Sequence, residues 1–359
     1  MIIAAGVDRK CEPERSDRSR LETNTIEMRS ANTNEVSATI EGLQVGTHYL
    51  NRAYYSLQQT LGENVVKNKV LAKETSIRAG GPAAIFATAD SFDQLRAVLF
   101  AANEWGLPLF VIGKGSNLLV SDAGFQGIVV RLGKDFMLKR VDGNKIQAGA
   151  AVSLPSLVQT SSKRGLDGMT FAVGIPGSLG GALVMNAGAH EHCIGDVVRS
   201  VIVFSKACEL RVIEAGELCF EYRNGNFSKD DIIVEATLEL TAGDPETIKH
   251  RMEEWFGQRK NNQPLQFPNA GSVFKNPKRT SAGLLIDKAG CKGMRSGDAE
   301  VSEKHANFII NRGTARASDI HSLIKAVQIR VFEQTGVYLE PEIEFLGEFE
   351  EILTAPRQS

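Results

Sequence analysis

Gly174-Ile-Pro-Gly-Ser-Leu-Gly-Gly-Ala-Leu-Val-Met-Asn-Ala-Gly-Ala189 holds five glycines in sixteen residues and no charged side chain. Glycine admits positive φ and lets main chain come close to another group. Amide N–H groups left bare in this way face an anion directly, as a nest or at a helix start. A diphosphate-bearing cofactor is the ligand that matches. A buried, tightly packed turn has the same composition, and the glycines alone leave both readings open.

A second glycine turn lies upstream, at Gly113-Lys-Gly-Ser-Asn-Leu-Leu-Val120, after a predicted buried strand over residues 107–112. It is not a Rossmann fingerprint. Leu118 stands where the third glycine belongs, and the next element is a strand from Ile128 rather than a helix. There is no Walker A motif either. A turn offering its N–H groups, Ser116 and Asn117 to phosphate oxygens fits better, and two such turns suit a dinucleotide with two phosphates.

The bulk properties exclude several classes. A chain of 359 residues is long enough for two or three domains. Lys+Arg 41 against Asp+Glu 43 gives a net charge of −2, so no global field draws the chain to nucleic acid or an anionic membrane. The five cysteines are scattered without C-x-x-C spacing, which suits reduced thiols in the cytoplasm rather than a disulfide framework or zinc site. No apolar run approaches the roughly 20 residues of a membrane span. Met1-Ile-Ile-Ala-Ala is too short for a signal sequence, and early acidic residues argue against a transit peptide.

Residues 1–42 are polar and mixed in charge, and are expected to be disordered. A helical lead-in follows over 43–74, with apolar residues at helical spacing (Leu50, Ala53, Tyr54, Leu57, Leu61) and a stop at Gly62. Helices are predicted over 91–105 (Ser91 and Gln94 as a capping box, Gly106 as stop), 153–163, 244–259 from Asp244-Pro-Glu, 282–289 and 318–334. Strands are predicted at 128–132, near Ile146, and at 197–204, 232–240, 307–310 and 337–345.

Four shorter runs are ambiguous taken one at a time. Phe220-Glu-Tyr-Arg-Asn224 places an arginine in a turn, where a surface role is the plainer reading. Asn269-Ala-Gly-Ser-Val-Phe274 places Ser272 beside a glycine, and turn serines are common. Leu339-Glu-Pro-Glu-Ile-Glu-Phe345 alternates, so Glu340, Glu342 and Glu344 share one strand face, with a solvated face as the plainer account. His190 and His192 have no further ligand pattern nearby, so no metal site is expected.

In this order the runs 75–81, 113–120, 174–189, 222–223, 269–277, 282–293, 305–311 and 339–345 resemble the UDP-N-acetylenolpyruvoylglucosamine reductase (MurB) family. The likeness covers roughly residues 51–348 and is closest to the shorter, type II branch. It implies an α+β fold: an FAD-binding domain of the PCMH type (vanillyl-alcohol-oxidase-like) over 75–244, a C-terminal substrate domain over 245–348, and a tail at 349–359. It also implies FAD and NADPH as cofactors and UDP-N-acetylglucosamine enolpyruvate as the small-molecule substrate. A cytoplasmic monomer or weak oligomer is expected.

The resemblance carries residue roles. Cofactor contacts fall on Gly113, Lys114, Gly115, Ser116, Asn117, Gly174, Ile175, Pro176, Gly177, Ser178, Gly180, Gly181, Asn186, Gly188 and Ala189. Arg223, Ser272 and Glu342 match the catalytic arginine, serine and glutamate; Tyr222, Lys275, Asn276 and His305 match positions near the UDP-sugar. The chain departs from the family pattern at Asn224-Gly225, Met169-Thr170 and His190-Glu191, none of them a catalytic position. Two other readings stay open: a different PCMH-type flavin oxidase, and an inactive protein that binds flavin or a UDP-sugar.

Overall fold

Helix α1 (Thr33–Leu61) brings Ala53, Leu57 and Leu61 to one face at four-residue spacing, and all three are buried. It stops where Gly62 takes φ 57°, a conformation that glycine enters freely. The computed structural model describes residues 33–352. Of the extension expected to be disordered, residues 1–32 lie outside that range and Thr33 already belongs to α1. From Tyr49 onward the chain forms one compact unit.

Strand β1 (Val65–Val70) pairs antiparallel with β2 (Pro82–Ala89). After α2 (Phe92–Glu104) come β3 (Leu109–Val111), β4 (Leu118–Val120) and β5 (Phe125–Leu132), giving a sheet of order β1-β2-β5-β3 with β5 parallel to both neighbours. Helix α2 buries Leu95, Val98, Leu99 and Ala102. Ser91 Oγ accepts from Gln94 N at 3.3 Å, while the Gln94 side chain returns to Asp90 N, not to Ser91. Strand β3 is shorter and more exposed than the buried strand expected over 107–112, because it is the sheet edge.

The chain continues through β6 (Lys139–Asp142), β7 (Lys145–Gly149), α3 (Leu154–Lys163), β8 (Leu166–Asp167) and α4 (Leu179–Val184). Then come β9 (Gly188–Ala189), β10 (His192–Cys193), β11 (Val198–Ser205), β12 (Leu210–Glu214), β13 (Asp231–Glu239) and β14 (Thr241–Ala242). Strands β12-β11-β13-β7-β6 make an antiparallel sheet, and one large apolar core joins it to the first sheet and α1.

Helix α5 (Pro245–Asn262) starts at Asp244, whose Oδ2 accepts from Thr247 N at 2.9 Å. The C-terminal part has its own core: α6 (Ala282–Lys288), a sheet of β15 (Arg295–Ser296), β16 (Ala299–Val301) and β17 (Ile309–Asn311), and α7 (Ala317–Thr335). Helix α7 buries Ile320, Leu323, Ile324, Val327 and Val331, and Gly336 closes it at φ 67°.

The strand expected over 337–345 is mostly irregular: only β18 (Glu344–Leu346) is regular. Pro341 offers no N–H for a continuous ladder. Residues 340–342 run instead along the serine turn, with Glu342 N donating to Val273 O and Lys275 N to Glu340 O, both at 2.8 Å. Strand β18 then pairs parallel with β4, the strand that leaves the first glycine turn.

Asp122, just past β4, ties the two parts together. Its two carboxylate oxygens accept from Ala317 N at 2.8 Å and Ser318 N at 2.9 Å, capping α7 from far away in sequence. Burial pushes the Asp122 carboxyl up, but the hydrogen bonds from Ser318 and Ala317 outweigh it and hold its pKa below that of an ordinary aspartate. A depressed carboxyl stabilises above the unfolded-state pKa, and the contribution is lost as pH falls through the folded value. Asp122→Ala is expected to lower stability by about 1–2 kcal/mol at neutral pH, with the difference shrinking in acid. Urea melts at two pH values check this.

Candidate active site

The two glycine turns touch each other. Ser116 Oγ donates to Pro176 O at 3.2 Å, and a Cβ on Gly113 would lie 2.5 Å from Ser178 Oγ. Ser178 caps α4, its Oγ accepting from Gly181 N. Gly115 has φ 59°, and a Cβ there would sit 2.2 Å from Glu74 O. Gly177 and Gly181 meet nothing closer than 3.5 Å, and Gly271 (φ 77°) nothing within 4 Å; all three border a cleft of about 490 Å³. Both readings of the glycines therefore hold, each at different positions. Gly188, where a Cβ would lie 2.5 Å from His192 O, is required by packing, as is Gly115 in the first turn, whereas Gly177, Gly181 and Gly271 leave a bare wall where side chains would intrude. The volume falls in the range of cofactor sites, about 300–1,000 Å³.

Of the expected cofactor positions, Gly113, Lys114, Gly115, Ser116, Asn117, Ile175, Pro176, Gly177, Ser178, Gly180, Gly181, Gly188 and Ala189 line this cleft. Gly174 and Asn186 lie behind it. A Cβ on Gly174 would be 3.0 Å from the Phe256 ring. Asn186 is a strut: its Nδ2 donates to Glu221 O at 2.8 Å and its Oδ1 accepts from Gly195 N at 3.1 Å. Gly115→Ala is expected to bind FAD at least tenfold more weakly. A left-handed alanine costs about 1–2 kcal/mol, and relieving the contact with Glu74 O moves the turn. Flavin absorbance per purified chain reads the effect.

Arg223, Ser272 and Glu342 all line the same cleft as the glycine turns. Arg223 sits at φ 58° in a tight turn closed by Glu221 and Asn224, which Asn186 holds from behind. Its Nε donates to Glu342 Oε1 at 2.7 Å, and the pair is largely buried. Asn117 Nδ2 donates to Glu342 O at 3.0 Å, fixing that backbone to the first glycine turn. Burial raises the Glu342 carboxyl above its ordinary pKa, and Arg223 and then Lys275 only partly offset it. Glu344 also borders the cleft, whereas Glu340 is exposed and meets Lys275 Nζ at 2.6 Å. Of the face read as solvated, only Glu342 turns inward; Glu344 is exposed at the edge of the cleft and Glu340 faces out.

Ser272 also borders a second cavity, of about 320 Å³, together with Asn276, His305, Lys292 and Lys304. Asn276 N donates to Tyr222 Oη at 3.3 Å, linking the arginine turn to the serine turn. Burial lowers the His305 imidazole below its ordinary pKa and Lys292 adds to that; its Nδ1 accepts from Asn307 N at 3.3 Å. Among the expected substrate residues, Asn276 and His305 line this cavity; Tyr222 and Lys275 line neither cavity, Tyr222 reaching it only through its bond with Asn276 N and Lys275 pairing with the exposed Glu340. Lys292 and Lys304 had no sequence signal, since isolated lysines read as surface residues.

A family model described as an FAD binding domain matches residues 83–212, and one described as UDP-N-acetylenolpyruvoylglucosamine reductase, C-terminal domain, matches residues 263–346. The fold is that of a flavin-dependent oxidoreductase, with the cleft where its two parts meet. The reductase of Moorella thermoacetica is 45% identical over 292 residues, 81% of this chain and 96% of that protein. That of Heliobacterium modesticaldum is 42% identical over 285 residues, 79% and 91% of the two chains. The crystal structure of MurB from Thermus caldophilus superposes with a TM-score of 0.70 at 37% identity, covering 79% of this chain and 98% of that one. The chain belongs to the UDP-N-acetylenolpyruvoylglucosamine reductase family. Among the described residues, no helix is long and apolar enough to cross a membrane.

Proposed function

We propose that this chain is an NADPH-dependent flavoenzyme that reduces the enolpyruvyl group of UDP-N-acetylglucosamine enolpyruvate to UDP-N-acetylmuramate, for peptidoglycan precursor synthesis. The observation that carries the reading is the Arg223–Glu342 pair at 2.7 Å on the same cleft as Ser272 and the glycine turns. FAD bound in the cleft and reduced by NADPH would supply the hydride for the enolpyruvyl β-carbon, and the glycine turns at 113–117 and 175–189 would hold its diphosphate.

The chain's own groups handle the charge and the proton. Hydride addition leaves an enolate, and the Arg223 guanidinium stabilises the developing negative charge. Glu342, whose burial favours the protonated carboxyl, acts beside it. Ser272 delivers the proton to the α-carbon, and its second face, on the smaller cavity, gives a route for that proton to be restored. Lys275, Asn276, His305 and Tyr222 position the UDP-sugar. The boundaries proposed for the two parts are 75–244 and 245–348, and the setting proposed is a cytoplasmic monomer or weak oligomer.

The test is NADPH oxidation by the purified yellow protein with and without UDP-N-acetylglucosamine enolpyruvate. Substrate-dependent turnover supports the proposal. Turnover with oxygen alone would select a flavin oxidase, and bound flavin without turnover an inactive binding protein.

A further inference from the structure

Arg259 and Gln263 stand one helical turn apart at the end of α5, and both line the large cleft. Arg259 Nε and Gln263 Oε1 are shut away from solvent and have no hydrogen-bond partner among the described residues. Burial pulls the guanidinium's pKa down. A buried polar group left unpaired is costly, and native proteins rarely leave one without a reason. One orphan donor and one orphan acceptor, side by side and facing a cleft, call for a ligand edge that carries both complements.

Their positions along the cleft are fixed by packing. A Cβ on Gly174 would lie 3.3 Å from Arg259 Cδ, so the arginine stem rests on the second glycine stretch. Gln263 adjoins Pro264, whose carbonyl accepts from Asn269 Nδ2 at 3.5 Å; Asn269 Oδ1 in turn accepts from Gly271 N at 3.0 Å, next to Ser272. The pair therefore spans from Gly174 towards the serine turn.

A diphosphate or a carboxylate offers acceptors only and would leave Gln263 Oε1 unmatched. The pyrimidine edge of a flavin offers N1 and C2=O as acceptors beside N3–H as donor, and the N1–C2=O side carries the negative charge of the reduced ring. We infer that Arg259 and Gln263 clamp this edge of the isoalloxazine, Arg259 donating to N1 and C2=O and Gln263 accepting from N3–H. The guanidinium then holds reduced flavin more tightly than oxidised flavin. The inference rests on the reading that the cleft binds FAD; a wild-type chain that binds no FAD would refute that reading instead.

The experiment measures the FAD midpoint potential against a reference dye, with FAD affinity alongside. Arg259→Met is expected to favour the oxidised form at least tenfold, about 30 mV lower for a two-electron couple. Arg259→Lys, which keeps the charge, restores most of the shift. Gln263→Leu weakens FAD about fivefold, the loss of one neutral hydrogen bond, and leaves the potential in place. An unmoved potential in Arg259→Met overturns the inference, as does an equal loss of affinity for both redox forms, which would put the guanidinium on the diphosphate. If Arg259→Met fails to fold, Arg259→Gln carries the same expectation and is overturned by the same results.

Discussion

Ser272→Ala is expected to leave bleaching of the flavin by NADPH intact while slowing its reoxidation by UDP-N-acetylglucosamine enolpyruvate by about 10²–10⁴-fold, the usual worth of a positioned general acid. The mutation removes one oxygen from a turn whose shape rests on other groups. Asn269 Oδ1 accepts from Gly271 N, Val273 N donates to Asn307 O, and Phe274 N donates to Asn307 Oδ1. The fold of the turn and the binding of both cofactors should therefore survive. A serine hydroxyl is a weak acid in water, so the step depends on alignment by that rigid frame. Stopped-flow traces of the two half-reactions separate the effects, and normal reoxidation in the mutant removes Ser272 from proton delivery.

Glu342→Gln is expected to cost about 10²–10³-fold in substrate reduction, the scale seen when one group stabilising a developing charge is removed. The pH profile is the sharper readout. Burial raises the carboxyl's pKa, with Arg223 and Lys275 opposing. A raised carboxyl keeps its proton to higher pH, so its contribution is present in acid and lost as pH rises through the folded value. Stability follows the same sign, because the native state disfavours the charged form. The wild-type rate should fall along an alkaline limb that Glu342→Gln lacks. A limb unchanged in the mutant assigns that titration elsewhere.

Much of the fold was legible because local rules agreed with tertiary packing. Ser91, Ser153, Asp244 and Gly336 mark helix ends by capping chemistry that needs no distant partner. In the region from 337 to 345 the alternation predicts a ladder, while Pro341 and the pairing with 273–275 impose an irregular path. The site divides in the same way. Its glycine turns have a composition of their own, but Arg223, Ser272 and Glu342 are separated by long stretches of chain, and only the ordered family pattern joined them. Arg259 and Gln263 carry no sequence signal because a cation and an amide at a helix end look like solvent-facing residues; the arginine stem is placed by tertiary packing, against Gly174.

Strand β18 lies parallel to β4, in register from Glu344 opposite Leu118 to Leu346 opposite Val120. Residues far downstream thus finish a wall that begins at the first glycine turn. A ribosome must translate as far as residue 346 before the nucleotide pocket can be completed. A chain halted short of residue 344 would emerge without its last wall. Splitting the gene between the two halves should yield fragments that bind flavin only when mixed.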